Sequence, residues 1–354
     1  FTTTTFQISY SRFHDLWLSG ADGTKGFNNG ILFDRDSDHN VIAHCRFERV
    51  MGDTSGHGYA VQLGDCHRTI VIANRFVGSV NNGRHAIYVG SGTSRSVIAH
   101  NYITDYRNSA IVLYTLSSQD AGILNIIDGN IIEGGVSAAV ESAAIEVSGN
   151  LQRNVIQNNV ISGFDPHGIV VSDSGQGGLT ADNVVQNNFI YGTARFGIEI
   201  IGTKRTVVRG NNIVDCSASS AGTYDGINIR SAGSFGTEED VGTIVIGNHS
   251  TGSNQRTGLA VDSTAPAPSA LTIRGNNLGT GAVGAMTYLG VIASGDDVAY
   301  FAPAQAANIA ITAIGYVKSF CAITLNTNAV HQLDNPSEAR TGKELVITIR
   351  NNSG

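Results

Sequence analysis

Short apolar strands alternate with polar corners along this chain, and one such unit returns through most of its length. Its most regular form is an apolar segment closed by asparagine and then a β-branched or aromatic residue. It reads VIANRF ending at Phe76, VIAHNYI ending at Ile103, VIQNNVI ending at Ile161, VVQNNFI ending at Ile190 and VVRGNNI ending at Ile213. IAHCRF, IIDGNII, IVIGNHS and LTIRGNNL, ending at Phe47, Ile132, Ser250 and Leu278, are degenerate copies. The eight intervals from Cys45 to Asn276 average about 29 residues, a fixed period expected of stacked units that cannot bury their apolar faces alone.

A second strand recurs in each unit as a quartet of the form small–apolar–x–apolar. The copies are GILF at 30–33, AVQL at 60–63, AIYV at 86–89, AIVL at 110–113, AIEV at 144–147, GIVV at 168–171, GIEI at 197–200, GINI at 226–229 and GLAV at 258–261. Period-two alternation turns the second and fourth residues inward and the third outward. Two strands per unit and no helical 3.6-residue pattern predict an all-β fold. It is a right-handed parallel β-helix of about nine coils over residues 1–285, the handedness following from parallel crossovers. Successive coils then stack about 4.8 Å apart.

The recurrent asparagine falls at one corner of every coil. There its amide can bond the coils above and below as an internal ladder, and its tolerance of the left-handed region suits the bend. Its role is structural. After about residue 285 the unit fades, and residues 286–354 read as a small antiparallel, sandwich-like β domain, a candidate trimerising cap over the open parallel edge. Both ends, FTTTTFQISYSRF and LVITIRNNSG, read as cuts within elements.

Composition narrows the partners. A net charge of −7 with no basic stripe disfavours nucleic acid, and no apolar run approaches the length of a membrane span. Charged residues make up 14% against 43 glycines, the balance of a packed β protein and not of a disordered chain. Cys45, Cys66, Cys216 and Cys321 show no paired spacing and read as buried thiols of a protein folded in a reducing cytoplasm. His44, His57, His67, His100 and His331 lack metal-ligand spacing, so neither metal nor cofactor is expected. The acidic turns DRDSDHN at 34–40 and SGDDVAY at 294–300 lack the closing glutamate of a calcium loop.

Stacking the quartets gives one outward column: Leu32, Gln62, Tyr88, Val112, Glu146, Val170, Glu199, Asn228 and Ala260. The residue before each quartet joins the same face: Asn29, Tyr59, His85, Ser109, Ala143, His167, Phe196, Asp225 and Thr257. At the strand entrance stand Arg84, Asn108, Arg195, Tyr224 and Arg256. A face rich in aromatics and histidine, with almost no lysine, suits sugar rings, whose C–H faces stack and whose hydroxyls need donors and acceptors. The plainer alternative is a solvated sheet. Tyr59, Gln62, Asp165, His167, Arg195, Tyr224 and Asn228 are the candidate substrate-binding residues.

Two constellations on this face carry chemistry. Glu146 and Glu199 stand two coils apart, about 9–10 Å at the backbone, and Asp225 one coil beyond Glu199, about 5 Å. The wider spacing fits inverting and the narrower retaining glycoside hydrolysis. In GRHAIYV at 83–89, Arg84, His85 and Tyr88 could instead neutralise a uronate, abstract its proton and protonate the leaving oxygen in a β-elimination. They could equally brace the turn and supply a stacking platform.

GFDPH at 163–167 resembles the YGFDPH signature of alginate C5-epimerases, themselves right-handed β-helices. That likeness would place Asp165 and His167 on catalytic positions, although Ser162 replaces the tyrosine and no nonapeptide calcium repeats follow. The repeats, the segment NGRHAIYVGSG and the tail HQLDNPSEARTGKELVITIRNNSG resemble the pectate-lyase-like superfamily, most of all phage tailspike depolymerases. The resemblance implies cleavage of capsular, O-antigen or exopolysaccharide by a homotrimer on a phage virion tail or otherwise outside the cell. Pectate and chondroitinase-B type lyases rely on a lysine–arginine pair, whereas this chain has only Lys25, Lys204, Lys318 and Lys343. The expectation is therefore an endo-acting hydrolase working through Glu146, Glu199 and Asp225. The alternatives are a lyase working through Arg84, His85 and Tyr88, and a glycan-binding spike or adhesin that does not cut.

Overall fold

Each repeat folds into three strands, where the hydropathy pattern indicates two. The computed structural model describes residues 10–19, 29–34, 37–50, 58–78, 84–90, 92–135, 142–173, 179–232, 239–262, 268, 270–279 and 284–288, with four short strands beyond them. Over the main body the chain coils right-handedly through three parallel sheets of ten strands each. In VIANRF the strands are Ile70–Ile72 and Arg75–Val77, so the asparagine divides what looks like one apolar run. The first of these belongs to the first sheet, the second to the second sheet, and the quartet strands form the third.

The bend at that corner is made by the residue before the asparagine. Ala73, His100, Asn158 and Asn187 have φ of 54°, 53°, 55° and 54°, while Asn74, Asn101, Asn159 and Asn188 keep negative φ. The expected left-handed asparagine is thus corrected by one position. The ladder side chain must point inward to meet its neighbours, so the solvent-facing residue before it absorbs the turn.

The ladder itself is continuous. Asn101 Nδ2 donates to Asn130 Oδ1 at 2.9 Å and to the Val71 carbonyl at 3.0 Å, and its backbone N–H donates to the same Asn130 Oδ1 at 3.0 Å. The pattern repeats from Asn74 through Asn130, Asn159, Asn188, Asn211 and Asn248 to Asn276. A second ladder, absent from the sequence reading, runs along the corner entering the first sheet. There Thr69 N–H donates to Ser96 Oγ, Ser96 N–H to Asn125 Oδ1, and Asn125 N–H to Asn154 Oδ1. Threonine and serine interrupt the asparagines at this corner, which hides its period.

Inside the coil, one inward residue per short strand builds the core. Ile42, Val71, Ile98, Ile127, Ile156, Val185, Val208 and Val245 stack down the first sheet with no exposure. Phe47 and Phe76 stack face to face at 4.7 Å in the second. Each such side chain contributes about 1.5–3 kcal/mol on burial.

The third sheet departs from strict alternation through a bulge at the first quartet residue. Ala86 and Ile87 N–H both donate to the Ala110 carbonyl at 3.0 Å, and both side chains lie in the core. Pairing passes from Tyr59↔His85 to Val61↔Ile87, stepping over the alanines between. Such an extra residue re-aims its neighbours. It is why His85 and Tyr88, three apart in sequence, face the same side. In later coils the site admits only glycine, since a Cβ on Gly168 would meet the Gly197 carbonyl at 2.5 Å.

Corner lengths are strongly unequal. First and second sheets are joined by two residues in all ten coils. Entry to the third sheet takes four residues between Ser162 and His167 but twelve between Val214 and Ile227. The average period conceals coils of 23 and 37 residues, from Asn188 to Asn211 and from Asn211 to Asn248. The last third-sheet strand, Gly284–Tyr288, pairs with Thr257–Val261, so the coil runs a few residues past 285. The antiparallel domain expected over 286–354 lies largely outside the described residues, as do the 294–300 turn, His57 and His331. Of its short strands, Asn308–Ile309 pairs with Gln332–Leu333 and Cys321–Leu325 with Ile347–Asn351, both in parallel. Cys45, Cys66 and Cys216 are buried free thiols.

Candidate active site

The sheet with variable corners on both edges is the one that can carry a shaped groove, and the candidate residues lie on its outer face. Its register sets Val112 beside Glu146, Glu146 beside Val170, Val170 beside Glu199 and Glu199 beside Asn228. Glu146 and Glu199 thus share one column two rungs apart, as the repeat implies. The column is far less exposed than expected. Leu32 is 49% exposed and Gln62, Tyr88 and Glu146 are half-buried, but Val112, Val170, Glu199, Asn228 and Ala260 are buried. Val170 joins Ala143, Ile201 and Ala232 in a small apolar cluster outside the sheet, which closes over the middle rungs.

At one end stands an aromatic platform. The Tyr59 ring stacks on His85 at 5.6 Å and on Tyr88 at 4.8 Å between centroids. His85 Nδ1 lies 2.8 Å from the Ser109 carbonyl, which fixes the proton on that nitrogen. Burial lowers the imidazole pKa to about 3, so the ring is neutral. Burial likewise pushes Tyr88 up to about 12. Ser109 Oγ donates to Glu146 Oε2 at 2.6 Å and accepts from the Ala143 N–H. Gln62 lies in register beside Tyr88, and Arg84 is half-buried at the strand entrance.

At the other end Glu199 is enclosed. Its Oε1 accepts from Arg230 Nε at 2.8 Å and from Asn228 Nδ2 at 3.4 Å, and its Oε2 lies 3.8 Å from His167 Nε2. The His167 ring stacks on Phe196 at 5.4 Å, Phe196 meets Tyr224 edge-on at 5.1 Å, and the Arg195 guanidinium covers Tyr224 at 5.5 Å. Asp165 is half-buried in the turn leading to His167, its N–H donated to the Gly135 carbonyl.

Asp225 stands apart from this arrangement. It is fully buried and takes two hydrogen bonds from Arg256, at 2.9 and 2.6 Å, and one from Thr257 Oγ1 at 2.7 Å. Its oxygens are thus occupied by the Arg256 ion pair and the Thr257 hydroxyl, whereas those of Glu199 face Arg230, Asn228 and His167.

Two residues escaped the sequence reading. Tyr114 and Arg230 both follow their quartets, and register links them through Ser148, Ser172 and Ile201 in one fifth-position column. Extending the alternation by one more step would have found them. Tyr114 is half-buried and feels the charges of Glu146 and Arg84, as Tyr88 does. Among the described residues no group of three or more His, Cys, Asp or Glu is placed to hold a metal ion.

A family model for the right handed beta helix region matches residues 29–213. Comparison with curated proteins gave no match. Among solved structures the Dettilon tailspike protein aligns with 80% of this chain and 61% of its own, at 16% identity and a TM-score of 0.51. The catalytic unit of a thermostable alpha-1,3-glucanase from Streptomyces thermodiastaticus aligns over 80% and 48%, at 14% identity and a TM-score of 0.54. An endo-xylogalacturonan hydrolase from Aspergillus tubingensis aligns over 89% and 90%, at 9% identity and a TM-score of 0.51. At these identities the likeness is one of fold. The chain spans about three fifths of the tailspike and about half of the glucanase unit.

Proposed function

Because the chain belongs to the right-handed β-helix family, we propose that its third-sheet groove binds and hydrolyses a polysaccharide, as an endo-acting glycosidase. The observation that carries this is the column shared by Glu146 and Glu199, with stacked rings at either end. Two rungs separate the backbones by about 9–10 Å, near the roughly 6.5–9.5 Å carboxyl spacing that leaves room for an attacking water.

Their surroundings suggest different roles. Glu146 is half-buried beside the Ser109 hydroxyl and the tyrosine platform, and serves as the acid that protonates the leaving oxygen. Glu199, held against Arg230, serves as the carboxylate that activates water. Tyr59 and Tyr88 provide a stacking surface, and His167, Asn228 and Arg195 line the far end. Asp225, Arg84 and Asp165 position neighbouring groups.

The elimination reading asks His85 to act as base. An imidazole with its Nδ1 proton committed to Ser109 and a pKa of about 3 is a weak one at neutral pH. This favours hydrolysis, with His85 as the wall on which Tyr59 stacks. The setting that fits is a tailspike-type depolymerase, a homotrimer cutting capsular, O-antigen or exopolysaccharide outside the cell.

The test is digestion of a panel of bacterial surface polysaccharides, following new reducing ends and the ultraviolet absorbance of unsaturated uronates. Reducing ends should appear without that absorbance, and Glu146→Gln and Glu199→Gln should each slow release by about 10²–10⁴-fold. Rising absorbance would instead establish elimination. Binding without release by the unaltered protein would make the groove a non-cutting glycan receptor.

A further inference from the structure

The second sheet carries an arrangement that the groove does not use. Its outward first column begins Trp17, Arg46, Arg75 and Tyr102, one residue per rung in continuous register. The Arg46 guanidinium lies 5.5 Å from the Trp17 ring centroid, and that of Arg75 lies 5.5 Å from the Tyr102 centroid. Two cations thus stand side by side between two aromatic rings.

Both rings are held in place. Trp17 Nε1 donates to Glu48 Oε2 at 3.1 Å, and the Tyr102 hydroxyl donates to Glu133 Oε2 at 2.5 Å. Arg46 also bonds Glu48 through its Nε at 2.8 Å. Arg75 is exposed, and among the described residues no carboxylate pairs with it.

Like charges directly opposite on paired strands are destabilising, and a chain with net charge −7 has no general field that would gather anions. Glu48 holds Arg46, which leaves Arg75 as the cation of this column with no carboxylate partner among the described residues, on an acidic protein and two rungs from an indole that is 69% exposed. A guanidinium fork matches a carboxylate with two hydrogen bonds. An exposed indole face matches the C–H face of a sugar ring. The column spans three rungs, about 14 Å, which is more than one sugar ring.

We infer that Trp17, Arg46, Arg75 and Tyr102 form a second, non-cutting site for a carboxylate-bearing saccharide, a uronate or sialate chain. It lies on the second sheet, away from the third-sheet groove, and would anchor an acidic polymer whether or not that groove cuts it.

Trp17 is the only tryptophan in the chain, so its fluorescence reads this site alone. The intact protein is titrated with trigalacturonate, with trisialic acid and, as a neutral control, with maltotriose. At least one acidic trisaccharide should shift the emission saturably, maltotriose should not, and added salt should weaken the response. Arg75→Ala should raise the Kd about tenfold or more with an unchanged circular dichroism spectrum, and Arg75→Lys should recover part of the loss. Glu199→Gln should leave the titration unaltered, which separates this site from the groove. The inference is overturned if neither acidic trisaccharide gives a saturable change up to about 10 mM, if maltotriose binds equally well, or if Arg75→Ala binds like the parent.

Discussion

Arg230 Nε donates a 2.8 Å hydrogen bond to Glu199 Oε1 from the neighbouring rung of the third sheet, with side chains only 15% and 3% exposed. Removing one partner of a buried pair leaves a charge without water or counterion. Arg230→Ala should therefore cost about 3–5 kcal/mol in urea unfolding at neutral pH. Polysaccharide cleavage should fall through kcat, with KM little changed. A variant as stable as the parent would show that the pair carries no structural charge balance.

Asp240 gives the protein a pH signature independent of the groove. It is fully buried, accepts from Thr203 N–H and Oγ1 at 3.3 and 3.0 Å, and burial pushes its carboxyl up to about 7. The folded state therefore holds this proton more tightly than the unfolded chain. Its contribution is complete below about pH 4 and is lost as pH rises towards and past about 7. Asp240→Asn keeps an oxygen acceptor for Thr203 without the ionisation. Thermal unfolding should find the two proteins alike near pH 4 and the variant more stable by a few kcal/mol near pH 8; parallel pH profiles would refute this.

The ladder and the bend can be separated by two substitutions one residue apart. Asn159→Ala removes the side chain that accepts from Asn130 N–H and Nδ2 and donates to the Ile127 carbonyl and Asn188. Orphaning those buried groups should cost about 2–4 kcal/mol. Asn158→Ala loses an exposed bond to Asp128 and a residue suited to φ 55°, and should cost only about 1 kcal/mol. Chemical denaturation distinguishes them, and equal losses would contradict the division of labour.

Glycine at the bulge is a packing requirement. A Cβ on Gly197 would meet Ile213 Cγ2 at 2.5 Å and the Gly226 carbonyl at 2.7 Å, whereas Gly192, at φ 61°, has nothing within 4 Å. Gly197→Ala should destabilise by about 2–3 kcal/mol and reduce cleavage by shifting Glu199. Gly192→Ala should cost about 1 kcal/mol for the left-handed conformation and leave cleavage intact. Melting temperature and initial rate measured on both proteins decide this.

The coil, its period and the Glu146–Glu199 column were legible because each depends on spacing, and spacing survives in a sequence. The third strand was not, because only Ala73 and Asn74 divide two apolar stretches and two residues leave hydropathy almost unchanged. The second ladder was hidden by Thr69 and Ser96, which make the same backbone bonds with different side chains. Burial of Val170 and Glu199 depends on Ile201, Ala232 and Arg230 closing over them from the fifth position and beyond. Asp225 read as a third carboxylate because nothing local shows that Arg256, 31 residues away, takes both its oxygens.

The two-residue corner shared by all ten coils has a consequence for how such a protein can change. Every gain or loss of length, including the 23- and 37-residue coils, falls on the two edges of the sheet that bears the groove. The asparagine spine on the opposite corner keeps its spacing whatever is inserted there. A recogniser for a different polymer could be made by exchanging loops beside the third sheet, with the folding information left in place along the spine.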